Sequence, residues 1–150
     1  MAIERILVAT DFKPKSDAAL GYGVLLAKEL RAELVVLHVL HASDLTYEEG
    51  QHRPGRMGDI AADKARHEME SQVARIGLGD IAHQLEVRFG DPGLEVISTA
   101  DQLGCELIVS TVESRSRLGK LLMGSHAQQI LLGSHIPVVG VKPEWGTDEG

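Results

Sequence analysis

Four short apolar runs constrain this chain more than any other feature of its sequence: Ile6-Leu7-Val8-Ala9, Leu34-Val35-Val36-Leu37-His38-Val39-Leu40, Leu107-Ile108-Val109 and Val138-Val139-Gly140-Val141. Runs of this length, rich in β-branched residues, predict strands buried on both faces, as in a parallel sheet. Leu85-Glu86-Val87-Arg88-Phe89 alternates instead. One of its faces meets water, which suits an edge strand.

Helical patterns separate the runs. Ala19, Tyr22, Leu26 and Leu30 share a face at spacings of three and four, with Ser16 or Asp17 as the expected cap. Ala62, Ala65, Met69, Val73 and Ile76 repeat the pattern and stop at Gly77 and Gly79. Asp91-Pro92 supplies a cap and a first-turn proline before Val96, Ile97, Ala100 and Leu103, and Gly104 ends that helix. A last helix runs from Ser125 through Ile130 and Leu131 to Gly133, and Pro137 keeps it out of the final strand. The order βαβαβαβαβ predicts an α/β fold: one doubly wound parallel sheet with helices on both faces. It occupies residues 1–142, followed by a tail at 143–150 that is expected to fray, with Trp145 folded back on the body. The connection from His41 to Gly58 is long for such a unit and falls on the ligand-binding rim, where a lid or a disordered segment is expected.

A length of 150 residues suits one domain with its own core. The net charge of -7 argues against a general nucleic-acid binder. Cys105 is the single cysteine, so no internal disulfide forms, and its apolar run suits a small buried hydrophobe better than a reactive thiol. The start of the chain carries no signal-peptide pattern and no stretch reaches membrane-spanning length, so the expected location is cytoplasmic.

In open α/β sheets ligands bind beyond the carboxyl ends of the strands, where the winding reverses. The first strand ends there in Ala9-Thr10-Asp11. The fourth leads through Ser110 to Lys120, a loop with Arg115, Arg117 and several hydroxyls, and then to Gly124-Ser125 at a helix start. Such a loop suits phosphate, because glycine permits close backbone approach and the helix start adds partial positive charge. A solvated loop with an ordinary serine cap fits the same composition.

Ile-Leu-Val-Ala-Thr-Asp at 6–11, Leu-His-Val at 37–39, Gly-Asp-Pro at 90–92, Leu-Leu-Met-Gly-Ser at 121–125 and Ile-Pro-Val-Val at 136–139 together resemble universal stress proteins. The resemblance covers Glu4 to Lys142. It implies a five-stranded sheet in the order 3-2-1-4-5, and an adenine nucleotide, ATP or AMP, as cofactor. Many relatives hold ATP through Gly-x-x-Gly, nine residues, then Gly-Ser or Gly-Thr; here the frame reads Thr111-x-x-Ser114, nine residues, Gly124-Ser125. By position, Ala9 and Val39 are implied to meet the adenine through backbone groups, with Thr10 beside them. Asp11 is implied to bond the nucleoside, its alternative being a helix-cap or loop carboxylate. Thr111, Ser114, Arg115 and Arg117, with Ser125, His126 and Ala127, are implied to enclose ribose and phosphates. Glu113 sets a carboxylate among them. If Ser114 takes the positive φ open to glycine, the strain is about 1–2 kcal/mol; otherwise the loop is reshaped.

The same resemblance implies a homodimer in which the last strand, with Val138, Val139 and Val141, pairs with its copy. No nucleic acid or membrane partner is expected. An adenylating ligase of related fold would need a Ser-Gly-Gly-x-Asp-Ser type loop where this chain has Thr10-Asp11-Phe12-Lys13-Pro14-Lys15. A phosphoacceptor switch would need an adjacent acidic pair for Mg²⁺. The seven histidines show no zinc spacing, and no serine has a sequence-evident base partner, so neither metal site nor catalytic residue is expected. A nucleotide-binding regulatory module and a nucleotide-free interaction module of the same fold remain as the two readings.

Overall fold

The computed structural model of the chain describes residues 2–41, 56–112, 114–117 and 120–146. Each apolar run becomes a strand because its alternate side chains find a core on either side. In β1 (Arg5–Ala9) Ile6 and Val8 enter one core and Leu7 the other. In β2 (Glu33–His41) Leu34 and Val36 join the first, Val35 and Leu37 the second. β4 (Leu107–Thr111) divides Leu107 and Val109 from Ile108 in the same way. The first core is closed by α1 (Pro14–Leu30) and α2 (Arg56–Ile76), the second by α3 (Pro92–Gln102) and α4 (Ser125–Gly133).

With β3 (His83–Gly90) and β7 (Val138–Val141) at its margins, the five-stranded parallel sheet has the order β3-β2-β1-β4-β7. This is the expected 3-2-1-4-5 arrangement, with the alternating strand β3 at an edge. One addition was not expected. β5 (Ser114–Arg117) and β6 (Lys120–Met123) pair antiparallel where the sequence suggested a loop, with Ser114 opposite Met123 and Arg117 opposite Lys120.

Helix ends follow local chemistry. Asp91 caps α3, its carboxylate accepting from the Leu94 N–H at 3.1 Å, with Pro92 in the first turn. Gly77 (φ 82°) and Gly104 (φ 66°) provide the left-handed residues beyond α2 and α3. Neither Ser16 nor Asp17 caps α1, contrary to expectation. Pro14, pre-set for a first turn, starts the helix after Lys13, which makes no side-chain cap bond. α2 begins at Arg56, and the expected lid falls on 42–55, outside the described residues. At the other end the chain does not fray at once: 143–146 form a turn that sets Trp145 edge-on to Tyr22, ring centroids 5.1 Å apart.

α1 lies close against the sheet at Gly23, where a Cβ would run into the Val8 Cγ2 methyl and lie 3.5 Å from Leu34 Cδ1. Both neighbours are core side chains with nowhere to retreat. Gly23→Val is therefore expected to lower stability by about 1–3 kcal/mol through overpacking, measured as a lower urea midpoint at an unchanged slope.

Candidate functional site

The chain leaves β1 to build α1 over one core, while the strands beyond β4 are reached over the other, so the carboxyl ends of β1 and β4 diverge into a cleft. Its volume is about 620 Å³. The side continuous with the second core is apolar, formed by Ala9, Leu37, Val39, Val96, Ala127 and Ile130. The side toward α1 is polar, formed by Thr10, Asp11, Lys13, Lys15, Ser16 and His38. Gly124, Ser125 and His126, at the start of α4, complete the rim.

The turn between β1 and α1 is built from buried hydrogen bonds. Thr10 N–H extends the sheet by donating to the Leu37 carbonyl at 2.9 Å. Phe12 takes a positive φ of 66°, rare for a bulky residue. Its N–H donates to Thr10 Oγ1 at 3.2 Å, and its ring covers His38 with centroids 4.1 Å apart. His38 Nδ1 lies 2.7 Å from the Thr10 carbonyl. A carbonyl can only accept, so Nδ1 carries the proton.

Beneath this turn sits Gln72 of α2, 2% exposed. Its Oε1 accepts from Thr10 Oγ1 at 2.7 Å, and its Nε2 donates to Ser16 Oγ at 3.1 Å and Asp17 Oδ1 at 2.8 Å. Arg75 then grips Asp17 from outside, at 2.6 and 3.2 Å. Burial works against the Asp17 carboxylate, but the hydrogen bonds from Arg75 and Gln72 and the Arg75 charge outweigh it and hold its pKa below the ordinary value. Ser16 and Asp17 are thus tied to α2 instead of capping α1.

The other wall ends in the first turn of α4. Gly124 is its N-cap (φ -60°, ψ 148°) and offers no side chain to the free N–H groups that follow it. No acidic residue occupies that turn. The positive end of the helix therefore faces the cleft beside His126, with Lys13 and Lys15 across from it.

Nine sequence-predicted residues meet in this cleft: Ala9, Thr10, Asp11, Val39, Thr111, Gly124, Ser125, His126 and Ala127. Asp11 Oδ1 accepts from the Lys13 N–H at 3.0 Å, and Oδ2 lies 3.9 Å from Lys15 Nζ. Thr111 Oγ1 donates to the Lys15 carbonyl at 3.5 Å. Ser114, Arg115 and Arg117 are placed by their backbone in β5, and Glu113 lies outside the described residues. Ser114 does not have the positive φ that would strain it. Its backbone is extended and paired, so the loop is reshaped, and its backbone groups belong to a ladder instead of a glycine turn.

Gln72 was missed by sequence reasoning. It falls three positions after Met69 on the buried stripe of α2, and a polar residue on an apolar stripe was the available signal. Among the described residues no group of three or more His, Cys, Asp or Glu side chains could hold a metal ion. Cys105 is buried away from the cleft, and burial pushes its thiol up to about 11, so it stays protonated at neutral pH.

The sequence model of the universal stress protein family matches residues 2–142. A universal stress protein of Mycolicibacterium smegmatis is 31% identical over 138 residues, covering 92% of this chain and 97% of its own. Among solved structures, a universal stress protein in complex with cAMP superposes with a TM-score of 0.70 at 17% identity, covering 95% of this chain and 99% of that one. A universal stress protein from Archaeoglobus fulgidus in complex with dAMP gives 0.65 at 21% identity, covering 95% and 100%.

Gln72→Leu nearly preserves shape while removing both partners that Thr10 and Ser16 find in α2. A loss of about 1–3 kcal/mol is expected, measured by urea denaturation.

Proposed function

The chain belongs to the universal stress protein family, and we propose that it binds an adenine nucleotide in the cleft above β1 and β4, as a stress-response regulatory module that does not turn the nucleotide over. The observation that carries this reading is the division of the cleft. One half is apolar and accepts a flat heterocycle. The other half ends at an uncapped helix start with Lys13, Lys15 and His126 around it, which suits phosphate. The relatives solved with cAMP and dAMP hold adenine nucleotides on the same fold. Hydrolysis would need an oriented water and charge stabilisation on the transferring group; the polar half offers binding donors, and Asp11 is engaged by the Lys13 N–H and lies beside Lys15.

The β5–β6 pair favours a second reading, a nucleotide-free interaction module, because its ladder occupies backbone that a glycine loop would turn toward phosphates. Calorimetry with AMP, ADP and ATP separates the two. Wild type is expected to bind all three weakly, with little gain from AMP to ATP. The Thr111→Gly/Ser114→Gly variant should gain ATP affinity, and Gly124→Val should lose binding by filling the helix start. Submicromolar ATP affinity in wild type would contradict the reshaped loop. No binding even in the glycine variant would establish the interaction module.

A homodimer through β7 belongs to the same proposal. Pro137 and Val141 carbonyls accept from Ile108 and Val112 of the β4 segment, so alternation turns the peptide groups of Val138 and Gly140 to the outer edge. A bare edge of this kind invites a second strand. Val138→Pro removes an outward N–H and leaves the β4 ladder intact. It is expected to give a folded monomer by light scattering where wild type is a dimer; a monomeric wild type would refute the dimer.

A further inference from the structure

Resting on the nucleotide reading and deepening it, we propose that Ser110 reads the base: its hydroxyl donates a hydrogen bond to a ring nitrogen of the purine held in the apolar half of the cleft. Ser110 is the last buried residue of β4, only 7% exposed. Strand alternation places it on the face of Ile108, the face of the second core, whereas Leu107 and Val109 face the first. It therefore belongs to the same side of the cleft as Ala9, Leu37, Val96 and Ile130.

Among the described residues the Ser110 hydroxyl has no hydrogen-bond partner. The contrast with the other buried hydroxyls is sharp. Thr10 and Ser16, which also line the cleft, are both engaged by Gln72. Thr99, likewise unpartnered, is sealed within α3 and lines no part of the cleft. Among the described residues, Ser110 alone is a buried hydroxyl that is unpartnered and open to the cleft. A hydroxyl in such a wall must find a polar atom on whatever fills the slot.

That atom belongs to the heterocycle. Cationic and N–H donors gather at the starts of α1 and α4, where phosphates gain most, while Ser110 stands among apolar neighbours suited to a flat ring. The ring edge of a purine offers unprotonated nitrogens, and a serine O–H can donate to one of them. Because a bound ring would exclude water from Ser110, losing that bond should be costly for a ligand that presents the nitrogen.

Calorimetry with AMP and its 1-deaza, 3-deaza and 7-deaza analogues, on wild type and Ser110→Ala, tests this. One analogue is expected to bind wild type about tenfold more weakly than AMP does, equivalent to about 1.4 kcal/mol. Ser110→Ala should weaken AMP by a similar factor and bind that analogue and AMP alike. Ser110→Cys, which keeps the volume with a weaker donor, should fall between the two and decides the matter should the alanine variant not fold. If wild type binds AMP and all three analogues equally, or the variants keep the discrimination, Ser110 does not read the base while the nucleotide reading stands. If wild type binds no AMP, both fall together.

Discussion

The central strands of this protein have no face left for water. Each of β1, β2 and β4 sends alternate side chains into two separate cores, and Ile6, Leu7, Val8, Leu34, Val35, Val36, Leu37, Ile108 and Val109 are fully buried. Polar chemistry cannot sit on such a sheet without desolvation it could not recover. It is displaced to the strand ends, and at the carboxyl ends the reversal of winding between β1 and β4 opens a cleft in which a ligand can meet both cores at once. The location of the cleft is thus a consequence of packing before it is a matter of function.

The two halves of the cleft inherit different tasks from that geometry. The side continuous with the second core is apolar because the core simply continues to its end. The side above the first core has to satisfy a sharp turn, and it does so with Thr10, Ser16 and Gln72. Phe12 is held in a left-handed conformation by the same arrangement, its N–H on Thr10 and its ring on His38. Buried polar networks of this kind are stabilising only when every member is satisfied. Here the network reaches the surface through Asp17 and Arg75, so the shape of the turn depends on a helix that contributes no side chain to the cleft lining.

Legibility in the sequence followed the same physical division. Two-sided burial writes itself as unbroken apolar runs, so the parallel sheet and the edge character of β3 could be read from the residues, while the strand order came from the family resemblance. The cap of α3 was visible in Asp91-Pro92, where chemistry and spacing agree. The start of α1 was misplaced because Ser16 and Asp17 are good capping residues, yet Pro14 already fixed an earlier first turn and the network claimed both side chains. β5 could not be recognised at all: Ser114-Arg115-Ser116-Arg117 contains no apolar residue, so nothing distinguishes it locally from a solvated loop. Most of the candidate site was named because its residues lie at strand ends and one helix start. Gln72 was not, since its role there depends on what surrounds it in space.

The cleft lining is drawn from segments far apart in the chain, residues 9–16, 37–39, 92–96, 110–111 and 123–130, with Thr10 and Gln72 bonded across 62 positions beneath it. Domains are made from the N-terminus onward at the ribosome. A nascent chain that has reached β3 contains the residues of the turn, α2 and the network, but not those of β4 or of the positive helix start. Only synthesis through α4 brings these together. A ligand that touched both walls of this cleft would therefore report a chain completed at least through α4.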